Sequence, residues 1–274
     1  MPEFRARLAA ILLLPILLAG CGDADRAAAG KLMLTGSSTV APLVLEIAKR
    51  YEASHPGTRI DVQTGGSSRG IADARSGVAD IGMVSRALKL DETDLVAHAI
   101  ARDGIAIIVH ASNPVTELSA DQVRAIYRGQ IATWQSIGGP ERPITVVNKA
   151  EGRSTLELFV QHFGLANEQI RASVVIGDNE QGIKTVAGNP GAIGYVSVGA
   201  AGYAATHQVP IRLLPLDGVP ASIETVKDGR FSLSRPLNLV TRGQPQGLAE
   251  DFVTYARSAA VHDLVQGLYF VPLD

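Results

Sequence analysis

The chain has few of the residues that carry most protein chemistry. Its 274 residues include one cysteine, Cys21, which excludes an internal disulfide. Six histidines (His55, His98, His110, His162, His207 and His262) are scattered without the spacing of a metal site. They read as structural or exposed, and neither a metal nor a cofactor is expected. Aromatic residues make up 5% and charged residues 19% of the chain. The 25 Lys and Arg against 27 Asp and Glu leave a net charge of −2, so there is no basic excess to suggest nucleic acid. No Gly-x-Ser-x-Gly elbow with a later Asp and His stands out, which weakens a serine hydrolase reading. Internal repeats, coiled coils and low-complexity segments are likewise missing. What remains is a 46% hydrophobic chain, long enough for one large domain or two small ones.

The N-terminus stands apart. Arg5 and Arg7 precede an apolar run, Leu8 to Leu18, too short for a comfortable membrane span and shaped like a secretory signal. It ends in Leu18-Ala19-Gly20-Cys21. This resembles the cleavage box of bacterial lipoproteins, which implies removal of residues 1–20 and a lipid on Cys21. The plainer alternative is an ordinary signal peptide followed by an unrelated cysteine. Residues 21–30, small and polar, read as a tether.

Beyond the tether one design recurs three times. Gly36-Ser37-Ser38-Thr39 precedes the apolar stripe Val40, Leu43, Val44, Ile47, Ala48 and Tyr51 of a helix. Thr64-Gly65-Gly66-Ser67-Ser68-Arg69-Gly70 opens a second helix that Gly77 stops. Gly152-Arg153-Ser154-Thr155 opens a third, Leu156 to Phe163. Hydroxyls at these positions suit N-caps. A helix N-terminus also carries unpaired N–H groups and partial positive charge, so three such turns can converge on one oxyanion. Strands at 31–34, 59–63 and 79–84 alternate with these helices and predict a parallel α/β sheet, with ligands beyond the carboxyl ends of its strands. Ser85-Arg86 ends the third strand at that same edge.

Further along, Asp103 to His110 reads as a buried strand, and Asn113-Pro114 as the point where the chain leaves the first domain. Ser119 caps a helix, and Ile144 to Lys149 is a strand feeding the third turn. Strands follow at 173–176 and 192–198, a helix at 181–187 between them, and a polar loop after Gly202. Ile211 to Leu216 and Arg235 to Thr241 read as strands, the latter pairing with Ile105 to Val109. Leu248 to Leu268 is amphipathic helix broken near Ala260. Trp134 and Tyr195 read as packing residues, and Asp61 and Asp80 as solvated strand-end acids.

These stretches, together with Asp80-Ile81-Gly82, Ile126-Tyr127-Arg128-Gly129, Trp134 and Asn189-Pro190-Gly191-Ala192-Ile193-Gly194-Tyr195, occur in the order that resembles the PstS-type phosphate-binding lipoproteins of bacterial ABC importers. The resemblance implies an α/β, two-lobed periplasmic-binding-protein-like fold. Each lobe would be a mixed sheet flanked by helices, with the ligand cleft between lobes: 31–112 and 233–274 forming one, 113–232 the other. It implies no catalysis, and a monomer that hands inorganic phosphate to permease subunits. Its place would be on the outer face of a bacterial membrane, held by the lipid on Cys21. Carried over by position, Ser37, Ser38, Thr39 and the N–H of Val40 hold the anion from one helix start, and Ser67 and Ser68 from a second. Arg153, Ser154 and Thr155 hold it from the second lobe. Arg86 and Lys149 complete the set, Lys149 standing where better-known members carry Arg. Some members place Asp where this chain has Arg86. Arg cannot accept the proton that distinguishes phosphate from sulfate, which leaves Glu151 as the nearest candidate acceptor. The alternatives are a receptor or sensor for another tetrahedral oxyanion such as sulfate, a serine-dependent phosphatase, or a structural surface lipoprotein.

Overall fold

The computed structural model describes residues 30–273. The signal peptide, the lipidation of Cys21 and all of the tether except Gly30 lie outside the described residues. The first sheet half is β1 (Lys31–Gly36) between β2 (Arg59–Thr64) and β3 (Ile81–Val84), all parallel. These strands alternate with α1 (Ala41–Ser54) and α2 (Ser67–Ser76), as the hydrophobic pattern predicts. Pro42 sits in the first turn of α1, where its missing N–H costs nothing. The stripe Leu43, Val44, Ile47, Ala48 and Tyr51 is buried. Close approach fixes α2 on this sheet. A Cβ at Gly70 would lie 2.8 Å from Met83 O, and one at Gly82 2.4 Å from Gly70 O, so neither position accepts a side chain.

One long strand joins the two halves. β4 (Leu95–His110) pairs antiparallel with β9 (Ser234–Arg242) through Leu95 to Gly104. From Ile105 onward it pairs instead with β7 (Ala192–Ser197) and β8 (Ile211–Leu214). The expected pairing of Arg235–Thr241 with Ile105–Val109 is therefore corrected: β9 lies against the earlier part of β4, beside β3. The chain passes from one half to the other inside β4 rather than at Asn113. The second half continues from β7 to β5 (Thr145–Lys149) and β6 (Val174–Ile176), all parallel.

Around the second half pack α3 (Ala120–Tyr127), α4 (Ser154–Phe163), α5 (Asn179–Ala187), α6 (Val198–Thr206) and α7 (Ile223–Lys227). Around the first pack α8 (Leu248–Ala256) and α9 (His262–Gly267), separated by a 3-10 turn at Ala259–Val261, so the expected break is present. Two main apolar cores result. One gathers Leu34, Leu43, Ile47, Ile81, Leu239 and Phe252, the other Ile107, Trp134, Phe159, Phe163, Tyr195 and Phe231. The fold is two-lobed α/β, each lobe with its own core and its own half of one nine-stranded mixed sheet that runs through β4. α6 replaces the polar loop expected after Gly202. Its two glycines and alanines give no helical stripe, and Gly199 is required because a Cβ there would lie 2.6 Å from the Phe270 ring.

Candidate functional site

The three hydroxyl turns do meet. Ser37 donates to Ser85 Oγ at 2.9 Å, Ser85 Oγ lies 2.6 Å from Ser154 Oγ, and Ser154 Oγ lies 2.9 Å from Ser67 Oγ. All four serines are at most 3% exposed. Ser37, Ser67 and Ser85 belong to the first lobe and Ser154 to the second, so the hydroxyls bridge the lobes. Backbone joins them too, since the N–H of Ser68 donates to Gly152 O at 3.2 Å. Gly66, at φ +97°, lies so close to Gly152 that a Cβ would stand 2.6 Å from its carbonyl oxygen.

The hydroxyls do not cap the helices they precede. The residue flanking α1 is Val40, that flanking α2 is Gly66 and that flanking α4 is Arg153, and none caps through its side chain. By contrast Ser119, Asp178, Ser197 and Ser222 cap α3, α5, α6 and α7. Ser37 Oγ instead accepts from the N–H groups of Thr39 and Val40, and Ser67 Oγ from that of Ser85. Three helix N-termini thus face one small polar space with their first-turn donors uncapped by side chains, an arrangement that favours negative charge.

Arg235 organises the space, and sequence reading passed over it as part of a strand. Its guanidinium donates to Thr155 Oγ1 at 2.9 Å, Thr39 Oγ1 at 3.3 Å and Ser85 Oγ at 3.4 Å. Its other edge grips Asp103 Oδ2 at 2.9 and 3.2 Å. Asp103 Oδ1 accepts from Ser197 Oγ and Gly199 N–H, so that carboxylate is fully engaged. The signal lay in two charged residues, Asp103 and Arg235, each standing just before the apolar part of its strand.

Lys149 reaches the same space from the end of β5. It is 3% exposed, and its Nζ donates to Asn179 Oδ1 at 3.0 Å. Asn179 in turn donates to Thr39 Oγ1 at 3.1 Å. Among the described residues no carboxylate lies within ion-pair distance of Lys149. Burial, reinforced by Arg235 and Arg153 and opposed by Asp178, brings its pKa down to about 7. Asn179 is a second residue that sequence reading missed.

Other expected ligands lie elsewhere. Arg86 is not brought to the hydroxyls. Its guanidinium forms a two-point pair with Glu92 at 2.8 Å and lies 3.1 Å from Glu157 Oε2, while Asn238 holds its carbonyl oxygen. Ser68 is exposed and its hydroxyl donates to Glu157 Oε1. Ser38 is half-buried, and Arg153 is half-buried against Gly66 and Gly177. Glu151 is exposed and accepts from Asn167, away from the cluster, so it cannot stand in for the missing acceptor there. Trp134 and Tyr195 pack in the second core, Tyr195 stacked on Phe159 with ring centroids 3.9 Å apart.

Comparison with known proteins places this geometry. The family described as the PBP superfamily domain matches residues 22–260. The crystal structure of an ABC transporter substrate-binding protein from Clostridium perfringens with bound phosphate superposes with a TM-score of 0.83. It is 30% identical and covers 89% of this chain and 100% of its own. An ABC-type phosphate transport receptor from Vibrio cholerae gives a TM-score of 0.73 at 27% identity, covering 88% of this chain and all of its own. Phosphate-binding protein PstS of Bacillus subtilis is 28% identical over 276 residues, 94% of this chain and 90% of its own length. The chain belongs to the PBP superfamily and, within it, to the PstS type of substrate-binding protein of ABC importers.

Proposed function

We propose that the protein captures inorganic phosphate between its lobes and delivers it to the permease of an ABC importer. The observation that carries this reading is the inter-lobe cluster of Ser37, Ser67, Ser85 and Ser154, flanked by Thr39, Thr155 and Arg235. A tetrahedral anion has four oxygens and needs donors from several directions. Hydroxyls rotate to supply them, Arg235 offers the N–H groups that reach Thr39, Thr155 and Ser85, and the N–H groups at the helix starts, that of Val40 once it leaves Ser37 Oγ, add more. Asp103 neutralises Arg235, so the charge of Lys149 and the helix ends is left to meet the anion. Ser38 and Arg153 sit at the margin and Arg86 outside.

Binding without turnover fits the surroundings of the serines. A nucleophile needs a base, and among the described residues their side-chain partners are other hydroxyls and Arg235. We further propose export, with Cys21 carrying the lipid that holds a monomeric receptor at the outer face of a bacterial membrane. No described helix is long and apolar enough to cross one. The test is calorimetric titration of the chain from residue 22 onward, freed of anion, with phosphate and then sulfate at neutral pH. Saturable binding of phosphate, in preference to sulfate, is expected. Equal binding of both would make this a general oxyanion receptor, and no heat with either would end the reading.

A further inference from the structure

The cluster holds two buried cations and one carboxylate. Asp103 is spent on Arg235, Ser197 and Gly199. Lys149 is left with a neutral amide, Asn179, as its side-chain partner. Taking an ammonium out of water without a counter-charge is unfavourable, and the group responds by giving up its proton. Arg235 cannot respond in this way, because a guanidinium stays charged at any pH the protein meets. Lys149 is therefore the one cation of the cluster whose charge can vary.

We propose that Lys149 is a proton-linked ligand group: its amine takes up a proton as the anion enters, so that phosphate and proton are captured together. This rests on the phosphate-capture reading. The balance is simple. A neutral amine, a monohydrogen phosphate dianion and one proton from water become an ammonium paired with the dianion. No bond to phosphorus forms or breaks.

The surroundings support the linkage from every side. On β9 Arg235 disfavours the ammonium, and on the turn before α4 Arg153 does the same. Before α5 Asp178 favours it, too weakly to offset burial, which leaves the pKa at about 7. On β7 Tyr195 contributes a hydroxyl that meets Lys149 through its backbone N–H at 3.3 Å rather than through Nζ. A bound dianion adds the counter-charge that these groups lack and restores the ammonium. Above neutrality, where the free amine is largely unprotonated, each further pH unit then weakens phosphate binding by about tenfold until the bound form also titrates. An arginine at this position would show no such dependence.

The experiment is phosphate calorimetry at pH 8 in buffers of different ionisation enthalpy, on the wild type and on Lys149→Arg. Phosphate's own titration is common to both proteins and cancels in the difference. The wild type is expected to take up about 0.9 proton more per anion than the variant. Between pH 8 and 9 its affinity should fall close to tenfold more steeply. Equal proton uptake and parallel pH profiles would overturn the proposal while leaving phosphate capture standing. Absence of phosphate binding in the wild type would remove both. Should Lys149→Arg fail to fold, the Cε resonance of Lys149 in the wild type decides the matter. Its titration midpoint should lie near 7 without phosphate and rise by more than one unit with it. A midpoint that phosphate leaves unmoved would overturn the proposal.

Discussion

Asp103 and Arg235 lie 132 positions apart in sequence yet form the most buried ion pair in the protein among those described, with side chains 0% and 1% exposed. Each is held by more than the other. Ser197 and Gly199 satisfy Asp103, while Thr39, Thr155 and Ser85 take the remaining donors of Arg235. Removing one partner therefore strands a charge. Arg235→Met should cost about 3 to 5 kcal/mol of stability, read by urea unfolding. It should also abolish measurable phosphate binding in calorimetry. A variant that keeps both would show that the pair is peripheral. At this scale sequence reading found Ser37, Thr39, Ser67, Ser154 and Thr155, which the structure brings together, because glycine-hydroxyl turns are visible as local patterns, and Lys149, which joins them, by its position in the family resemblance. It passed over Arg235, Asp103 and Asn179, whose meaning depends on long-range pairing. It also set Arg86 beside the anion because the residue follows a strand end. The guanidinium turns instead to Glu92, six residues on, and to Glu157 across the cleft.

At the level of elements, the starts of α1, α2 and α4 show why a helix cap and a ligand site read alike in sequence. Both need short hydroxyl side chains beside the first turn. The structure separates them. Ser119 in front of α3 forms a reciprocal capping box with Gln122, whereas Ser154 is already inside α4 and bonds only to the hydroxyls of Ser67 and Ser85. Losing a cap costs roughly 1 kcal/mol of stability. Ser154→Ala leaves the buried hydroxyls of Ser67 and Ser85 each short of a partner and should cost about 1 to 2 kcal/mol by thermal unfolding. Its phosphate affinity should fall about tenfold or more, since hydrogen bonds to charged groups are the stronger ones. Phosphate affinity unchanged beside that loss of stability would return Ser154 to a structural role. Helices with an apolar stripe, such as α1 and α4, were legible. α6 was not, because Gly199 and Gly202 serve contacts with Phe270 and Tyr269 that no local pattern announces. The first part of β4, Leu95 to Arg102, alternates burial only weakly and became clear through its pairing with β9.

For the molecule as a whole, two features make an anion trap of two lobes. The lobes communicate through β4, whose early residues pair with β9 and whose later residues pair with β7 and β8. They also touch across the cleft. Glu157 of α4 lies 3.1 Å from Arg86 and 3.0 Å from Lys89, a rim contact outside the hydroxyl cluster. Separation of the lobes would part Ser154 and Thr155 from Ser67, Ser85 and Arg235, and with them every direction from which a tetrahedral anion is held. The order of strands, turns and helices made a parallel α/β sheet legible and the family resemblance supplied the two lobes, whereas the crossing inside β4 was not legible, because a single apolar strand gives no sign of changing partners midway. The most direct measurement is a crystal structure of the protein grown with phosphate. The account predicts the anion between the lobes, within hydrogen-bond distance of Ser37, Ser67, Ser154, Thr155, Arg235 and Lys149. Phosphate bound at Arg86 and Lys89, or on the outer face of either lobe with the hydroxyl cluster unaltered, would contradict it.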